Sequence, residues 1–166
     1  MILEYEIRPG TTSPSRANPS DAGLDVYYCP VDPNVKAVKI KPGGNTMLAT
    51  GLSFGVPHGY MLQVCNRSSM GAKKSLIVGA HIIDSGYDGE VFIDLHNIGQ
   101  EQQIVCAGDK IAQLILVPVI HFRARQTNHK LYREPIAISR RGDAALGSTD
   151  TGEPNHVLND MPVGGF

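Results

Sequence analysis

Glycine and proline interrupt this chain so often that long helices have no room. Its 166 residues include 18 Gly and 11 Pro, and both residues punctuate regular structure. Between the breaks lie short β-rich runs at 2–7, 24–28, 37–40, 46–50, 52–56, 60–65, 76–83, 90–97, 103–106 and 110–122. Several alternate with the two-residue period of a half-buried strand. In EVFIDLHN, for example, Val91, Ile93 and Leu95 face one way and Phe92, Asp94 and His96 the other. Ten such runs predict an all-β sandwich, jelly roll or barrel. Only 68–74 can make a short helix, with a Ser placed to cap its start. The length suits one domain with a proper core.

A net charge of −1 gives no global field to recruit nucleic acid or an anionic membrane. Any phosphate binding must therefore be local. Cys29, Cys65 and Cys106 are scattered and lack CxxC spacing, which suits buried thiols in a reducing compartment. MILEYEIRPG does not read as a signal peptide, and no apolar run approaches the ~18 residues of a membrane span. The expectation is a soluble, cytoplasmic protein (the host-cell interior if viral), with neither a membrane nor stably bound nucleic acid as partner. From about Thr127 the apolar pattern thins, and residues 140–166 are rich in Gly, Pro, Asp, Asn and Thr without periodicity. That composition suits a mobile arm or a plain tail.

Five stretches can carry chemistry. In DAGLDVYY a Gly turn leads into a strand, an ordinary entrance or a site. NRSSMGAKKS offers the planar donor fork of Arg67, the hydroxyls of Ser68 and Ser69, and free N–H groups if a helix starts there. It suits phosphate oxygens, or is a capped helix with a surface Arg. GAHIIDSGYDGEV places Asp84 and Tyr87 at the corner of a hairpin. AGDKIAQLIL is an apolar strand interrupted at Gln113, whose amide needs partners at an edge or on a ligand. RRGDAALGSTDTG could wrap an anion in backbone N–H groups and hydroxyls.

Taken in order, AGLD, RSSMG, IIDSGYDGEV, GDKIAQLI and RGDAALGSTDTG resemble the five successive motifs of the homotrimeric dUTP diphosphatase (dUTPase) family, across residues 21–152. The resemblance implies a jelly-roll-like β-barrel over 1–139, an arm over 140–152 that closes a site shared between subunits, and a flexible tail over 153–166. It implies hydrolysis of dUTP to dUMP and pyrophosphate with Mg²⁺, which the triphosphate and water would hold with no direct protein ligand. Asp84 would activate the attacking water, and Tyr87 would pack under the deoxyribose and exclude a ribose 2′-hydroxyl. Arg67, Ser68, Ser69 and Gln113 would hold phosphate oxygens, and Gly79 and His81 would lie on the substrate side of the hairpin. Arg141, Leu146, Gly147, Ser148 and Thr149 would belong to the arm, and Asp25 would support the site near metal and phosphates.

The chain departs from that family pattern in three places. Ala144, Ala145 and Leu146 replace the arm's G-G-F, whose Phe would stack on uracil, and Asp150 stands where Gly is usual. The segment from Ala80 to Tyr87 looks more like the A-H-x-I-D-P-G-W of the related dCTP deaminases, where a Glu follows ten residues after the Asp; here that place holds Asp94. Against deamination, Ala72 stands where the deaminase pattern has Arg, with Lys73 beside it. His81 is then either a hydrogen-bonded hairpin side chain or a contact to base or sugar, and Asp94 either a strand carboxylate or a supporting site residue. Residues 153–166 form an extension that many members lack. The alternatives are a dCTP deaminase, a bifunctional enzyme, or a non-catalytic dUTPase-like binding module.

Overall fold

The computed structural model describes residues 1–128, and within them Met1–Phe122 form one compact unit. The strands are β1 (Tyr5–Ile7), β2 (Leu24–Tyr27), β3 (Ala37–Ile40), β4 (Asn45–Ala49), β5 (Leu52–Phe54) and β6 (Tyr60–Cys65). One helix, α1 (Ser68–Lys74), precedes β7 (Leu76–Val78), β8 (Ile82–Asp84), β9 (Phe92–Asn97), β10 (Gln103–Cys106) and β11 (Lys110–Pro118). The strand pairs are all antiparallel, in sheets ordered β2-β11-β6-β8, β4-β9-β7, β1-β5 and β3-β10. This is the expected all-β, jelly-roll-like architecture.

A single hydrophobic cluster draws on every one of these strands except β1, whose own residues stay exposed. Val26, Leu62, Val64, Ile83, Ala112 and Leu114 come from the four-stranded sheet, and Leu48, Leu76, Val78, Ile93 and Leu95 from the three-stranded one. Each large aliphatic side chain buried there contributes about 1.5–3 kcal/mol. The alternation expected in β9 is observed, with Val91, Ile93 and Leu95 buried. The buried Asn97 is fully engaged, its Nδ2 donating to the carbonyls of Ile40 (2.9 Å) and Glu101 (2.7 Å).

Three expectations need correction. The run at 76–83 is two strands, because Gly79 N–H turns to the Asp94 carbonyl while Val64 N–H, on β6, takes the His81 carbonyl. The helix occupies its expected bounds, but its N-cap is Arg67, with no side-chain cap; the N–H groups of Met70 and Gly71 go to the Arg67 carbonyl. The cysteines are free but not all buried: Cys29 and Cys65 are half-buried and Cys106 is exposed. Among the described residues no helix is long and apolar enough to cross a membrane.

Candidate active site

Antiparallel pairing brings three of the five stretches together. Gln113 on β11 lies opposite Asp25 on β2 and opposite Cys65 on β6, two residues before Arg67. Asp25 takes a cation on each oxygen. Arg67 Nε donates to Oδ1 at 2.8 Å and Lys110 Nζ to Oδ2 at 2.7 Å. Arg67 Nη1 also donates to Ser69 Oγ (3.2 Å) and the Lys110 carbonyl (3.3 Å). The Lys110 ammonium stands 5.7 Å from the Tyr27 ring centroid, and Tyr27 Oη shares a 2.7 Å hydrogen bond with Ser15 Oγ.

Two cations face one carboxylate here, so the cluster keeps a positive surplus suited to an anion. The hydrogen bond to Asp25 raises the Lys110 pKa above its usual value against the opposing effect of desolvation, so the ammonium stays charged. Gln113 Nε2 donates to the Asn66 carbonyl at 2.9 Å, and its side chain lies across Gly23 so closely that a Cβ there would sit 2.0 Å from Oε1. Gln113 is thus partnered on a half-exposed face, resolving its need without burial.

Lys110 was not among the residues expected in the site. Strict alternation from Gln113 would turn it inward. A register shift between Lys110 and Ala112 leaves Ile111 and Ala112 both buried and brings Lys110 out beside Asp25. The adjacent apolar pair after the Lys is the one trace of this bulge in the sequence.

Asp84 ends β8, exposed, opposite Met61 of β6. The corner that follows is tight: Gly86 has φ +86°, and Tyr87 N–H reaches the Asp84 carbonyl at 3.3 Å. Tyr87 Oη donates to the Glu90 carbonyl at 2.9 Å, and a Cβ on Gly89 would lie 2.5 Å from that hydroxyl oxygen. The ring therefore lies against bare backbone with its other side open, a flat apolar platform beside an exposed carboxylate.

At the hairpin entrance His81 Nδ1 is 2.9 Å from the Val64 carbonyl, so this ring is tied to β6. Asp94 is also engaged. Asn45 Nδ2 donates to its Oδ1 at 3.0 Å, and His96 Nε2 lies 2.8 Å from Oδ2. Partial burial acts to raise the Asp94 pKa, but the hydrogen bonds from Asn45 and His96 and, when that ring is protonated, the charge of His96 outweigh it and hold the carboxyl below its usual value. A Cβ on Gly79 would fall 2.3 Å from His96 Nε2 and 2.5 Å from Asp94 Oδ2, so the pair occupies the space a side chain would need.

Along β6, Asp84 pairs with Met61 and Gln113 with Cys65, four residues on. At a strand rise that separation is roughly 13 Å. Among the described residues no hydrogen bond or ion pair links Asp84 to the Asp25 cluster. Ser68 is exposed at the helix start. Arg141, Leu146, Gly147, Ser148 and Thr149 lie outside the described residues. A groove of about 720 Å³ runs between β1, β5 and the Tyr87 corner, but Glu4, Glu6 and Asp88 line it and no Lys or Arg does. It is the wrong sign for a polyphosphate. Among the described residues no three His, Cys, Asp or Glu side chains are grouped to hold a metal ion.

The family model described as dUTPase matches residues 10–150. A deoxyuridine 5'-triphosphate nucleotidohydrolase of Anaplasma marginale (strain St. Maries) is 34% identical over 152 residues, covering 90% of this chain and 97% of that protein. Its counterpart in Gloeobacter violaceus is 40% identical over 108 residues, covering 64% and 71%. Among solved structures, a dUTPase of Staphylococcus bacteriophage 80alpha with dUpNHpp superposes with a TM-score of 0.73 at 22% identity, covering 89% of this chain and 98% of that one. A dUTPase from phage phi11 of S. aureus, described with a structural Mg(II) ion, gives 0.69 at 21% identity, covering 80% and 100%.

Proposed function

Since the chain belongs to the dUTPase family, we propose that it hydrolyses dUTP to dUMP and pyrophosphate. The observation that carries this reading is the Arg67–Asp25–Lys110 cluster, a preformed cationic seat with Ser69 and Gln113 at its edge. Arg67, Ser68, Ser69, Lys110 and Gln113 bind phosphate oxygens. Asp84, exposed and acceptor-only when ionised, takes a proton from water as the water oxygen attacks the α-phosphorus. The bond from that phosphorus to the bridging oxygen breaks, and pyrophosphate leaves with the electron pair. Tyr87 supports the deoxyribose.

Mg²⁺ takes hard oxygen donors and keeps several waters. Among the described residues no grouped donors are present to hold it, so the triphosphate and water would carry the ion, and Asp25, with both oxygens already on cations, could meet it only through water. The ion would supply charge neutralisation to the phosphates.

The ~13 Å along β6 between Asp84 and the phosphate seat supports assembly as a homotrimer, in which one copy's seat faces another copy's Asp84 hairpin. Ile82, Met61, Ile115 and Val117 lie on the outward face of the same sheet, only half-buried or exposed, and give such a contact an apolar surface. The 140–152 segment, which lies outside the described residues, would serve as an arm over the bound triphosphate that limits bulk water to the attacking molecule. The setting is the cytoplasm.

Asp94 beneath Gly79 favours a second reading, deamination of dCTP, but Ala72 and Lys73 are both exposed and leave the Arg of that pattern absent. One incubation separates them. With dUTP or dCTP and Mg²⁺, chromatography should find dUMP and pyrophosphate from dUTP. Ammonia released from dCTP, with dUTP untouched, would replace the first reading by the second.

A further inference from the structure

Resting on the hydrolase reading above, we propose that His96, oriented by Asp94, reads the pyrimidine at N3 and sets the choice between uracil and cytosine. β9 presents Asp94 and His96 on one outward face, two residues apart. Across from them β7 leads into Gly79, whose N–H donates to the Asp94 carbonyl at 2.9 Å. Because Gly79 has no side chain, the Asp94–His96 pair lies directly against the backbone of the hairpin entrance.

Both oxygens of Asp94 are fixed, Oδ1 by Asn45 and Oδ2 by His96. A carboxylate only accepts, so a neutral imidazole in this contact carries its proton on Nε2 and presents a lone pair at Nδ1. The side chain of Asp94 is 17% exposed and that of His96 is 42% exposed. The carboxylate is thus the anchor and the ring the accessible partner. Uracil offers an N3–H donor, whereas cytosine offers a lone pair at N3. An acceptor at Nδ1 pairs with the first and opposes the second, the kind of mismatch that discriminates strongly because a polar group is left unpaired. Neither residue is used to activate water, so selectivity is separable from the hydrolytic step.

The test uses the non-hydrolysable imido analogues of dUTP and dCTP, with binding measured by calorimetry on the full chain, so it needs no turnover. The hydrolase reading fails separately, if the unaltered protein leaves dUTP intact. His96→Leu removes the acceptor. Asp94→Asn replaces the carboxylate with an amide whose N–H₂ can face Nε2, moving the imidazole proton to Nδ1. His96→Gln keeps most of the side-chain volume should His96→Leu fail to fold. The expected result is a fall of roughly tenfold or more in the uracil-over-cytosine preference in each folded variant. A preference unchanged within about twofold in folded His96 and Asp94 variants overturns the proposal.

Discussion

Asp25 and Arg67 stand 42 residues apart in the chain, and their side chains meet at 2.8 Å. The contact joins the strand after the first glycine turn to the N-cap of the only helix among the described residues. Through Lys110 it reaches a third element, so one carboxylate orders the cations expected to receive phosphate.

Removing that carboxylate should uncouple the seat. Asp25→Ala leaves Arg67 without its partner in a half-buried place, and a loss of about 1–3 kcal/mol is expected in urea unfolding. Asp25→Asn, which keeps an acceptor for one cation, should lose less. Equal stability of both variants with the unaltered protein would show that the ion pairs are too well solvated to matter.

Gly79 is required by its neighbours more than by its own backbone. An alanine there meets the Asp94–His96 pair at 2.5 Å or less, and overpacking of this kind costs about 1–3 kcal/mol. Gly79→Ala combined with His96→Ala should lose less than the sum of the single changes, as expected of residues in contact. Strict additivity in a thermal or denaturant cycle would contradict the packing.

Acid sensitivity follows from Asp94. Its folded pKa lies below the unfolded value of about 3.9, so its contribution to stability is present above that value and is lost as pH falls through the folded pKa. Asp94→Asn should therefore flatten the acid limb of stability measured from pH 5 downward while changing the neutral-to-alkaline limb little. An acid limb of unchanged slope would assign the effect to other carboxylates.

The arm invites a gain of function. Leu146 stands where the family pattern has Phe, and an aromatic stacked on the base adds about 0.5–1.5 kcal/mol beyond area burial. Leu146→Phe should lower KM for dUTP by roughly two- to tenfold. An unchanged or higher KM would count against placing Leu146 over the base.

How much of this was legible in the sequence depended on whether a feature was local. The two-residue period of Val91, Ile93 and Leu95 announced its buried face, and α1 fell within its expected bounds. The break at Gly79–His81 was not legible, because it is made by hydrogen bonds to β6 and β9, strands distant in sequence. Lys110 was missed for a related reason: a bulge reverses the side it faces, and alternation has no term for a bulge. A Ser looked like a cap, yet the backbone of Arg67 starts the helix, and Ser69 instead accepts from Arg67 Nη1. The pairing of Asp94 with His96 needed only the two-residue spacing, but its meaning needed the bare backbone of Gly79 opposite.

The central claim is that water activated by Asp84 attacks the α-phosphorus of dUTP. The most direct measurement is turnover of dUTP with Mg²⁺ in ¹⁸O-labelled water, followed by mass spectrometry of both products, with Asp84→Asn alongside. The predicted result is one ¹⁸O in dUMP, none in pyrophosphate, and no turnover by Asp84→Asn despite retained nucleotide binding. Label in pyrophosphate, or undiminished turnover by Asp84→Asn, would contradict the account.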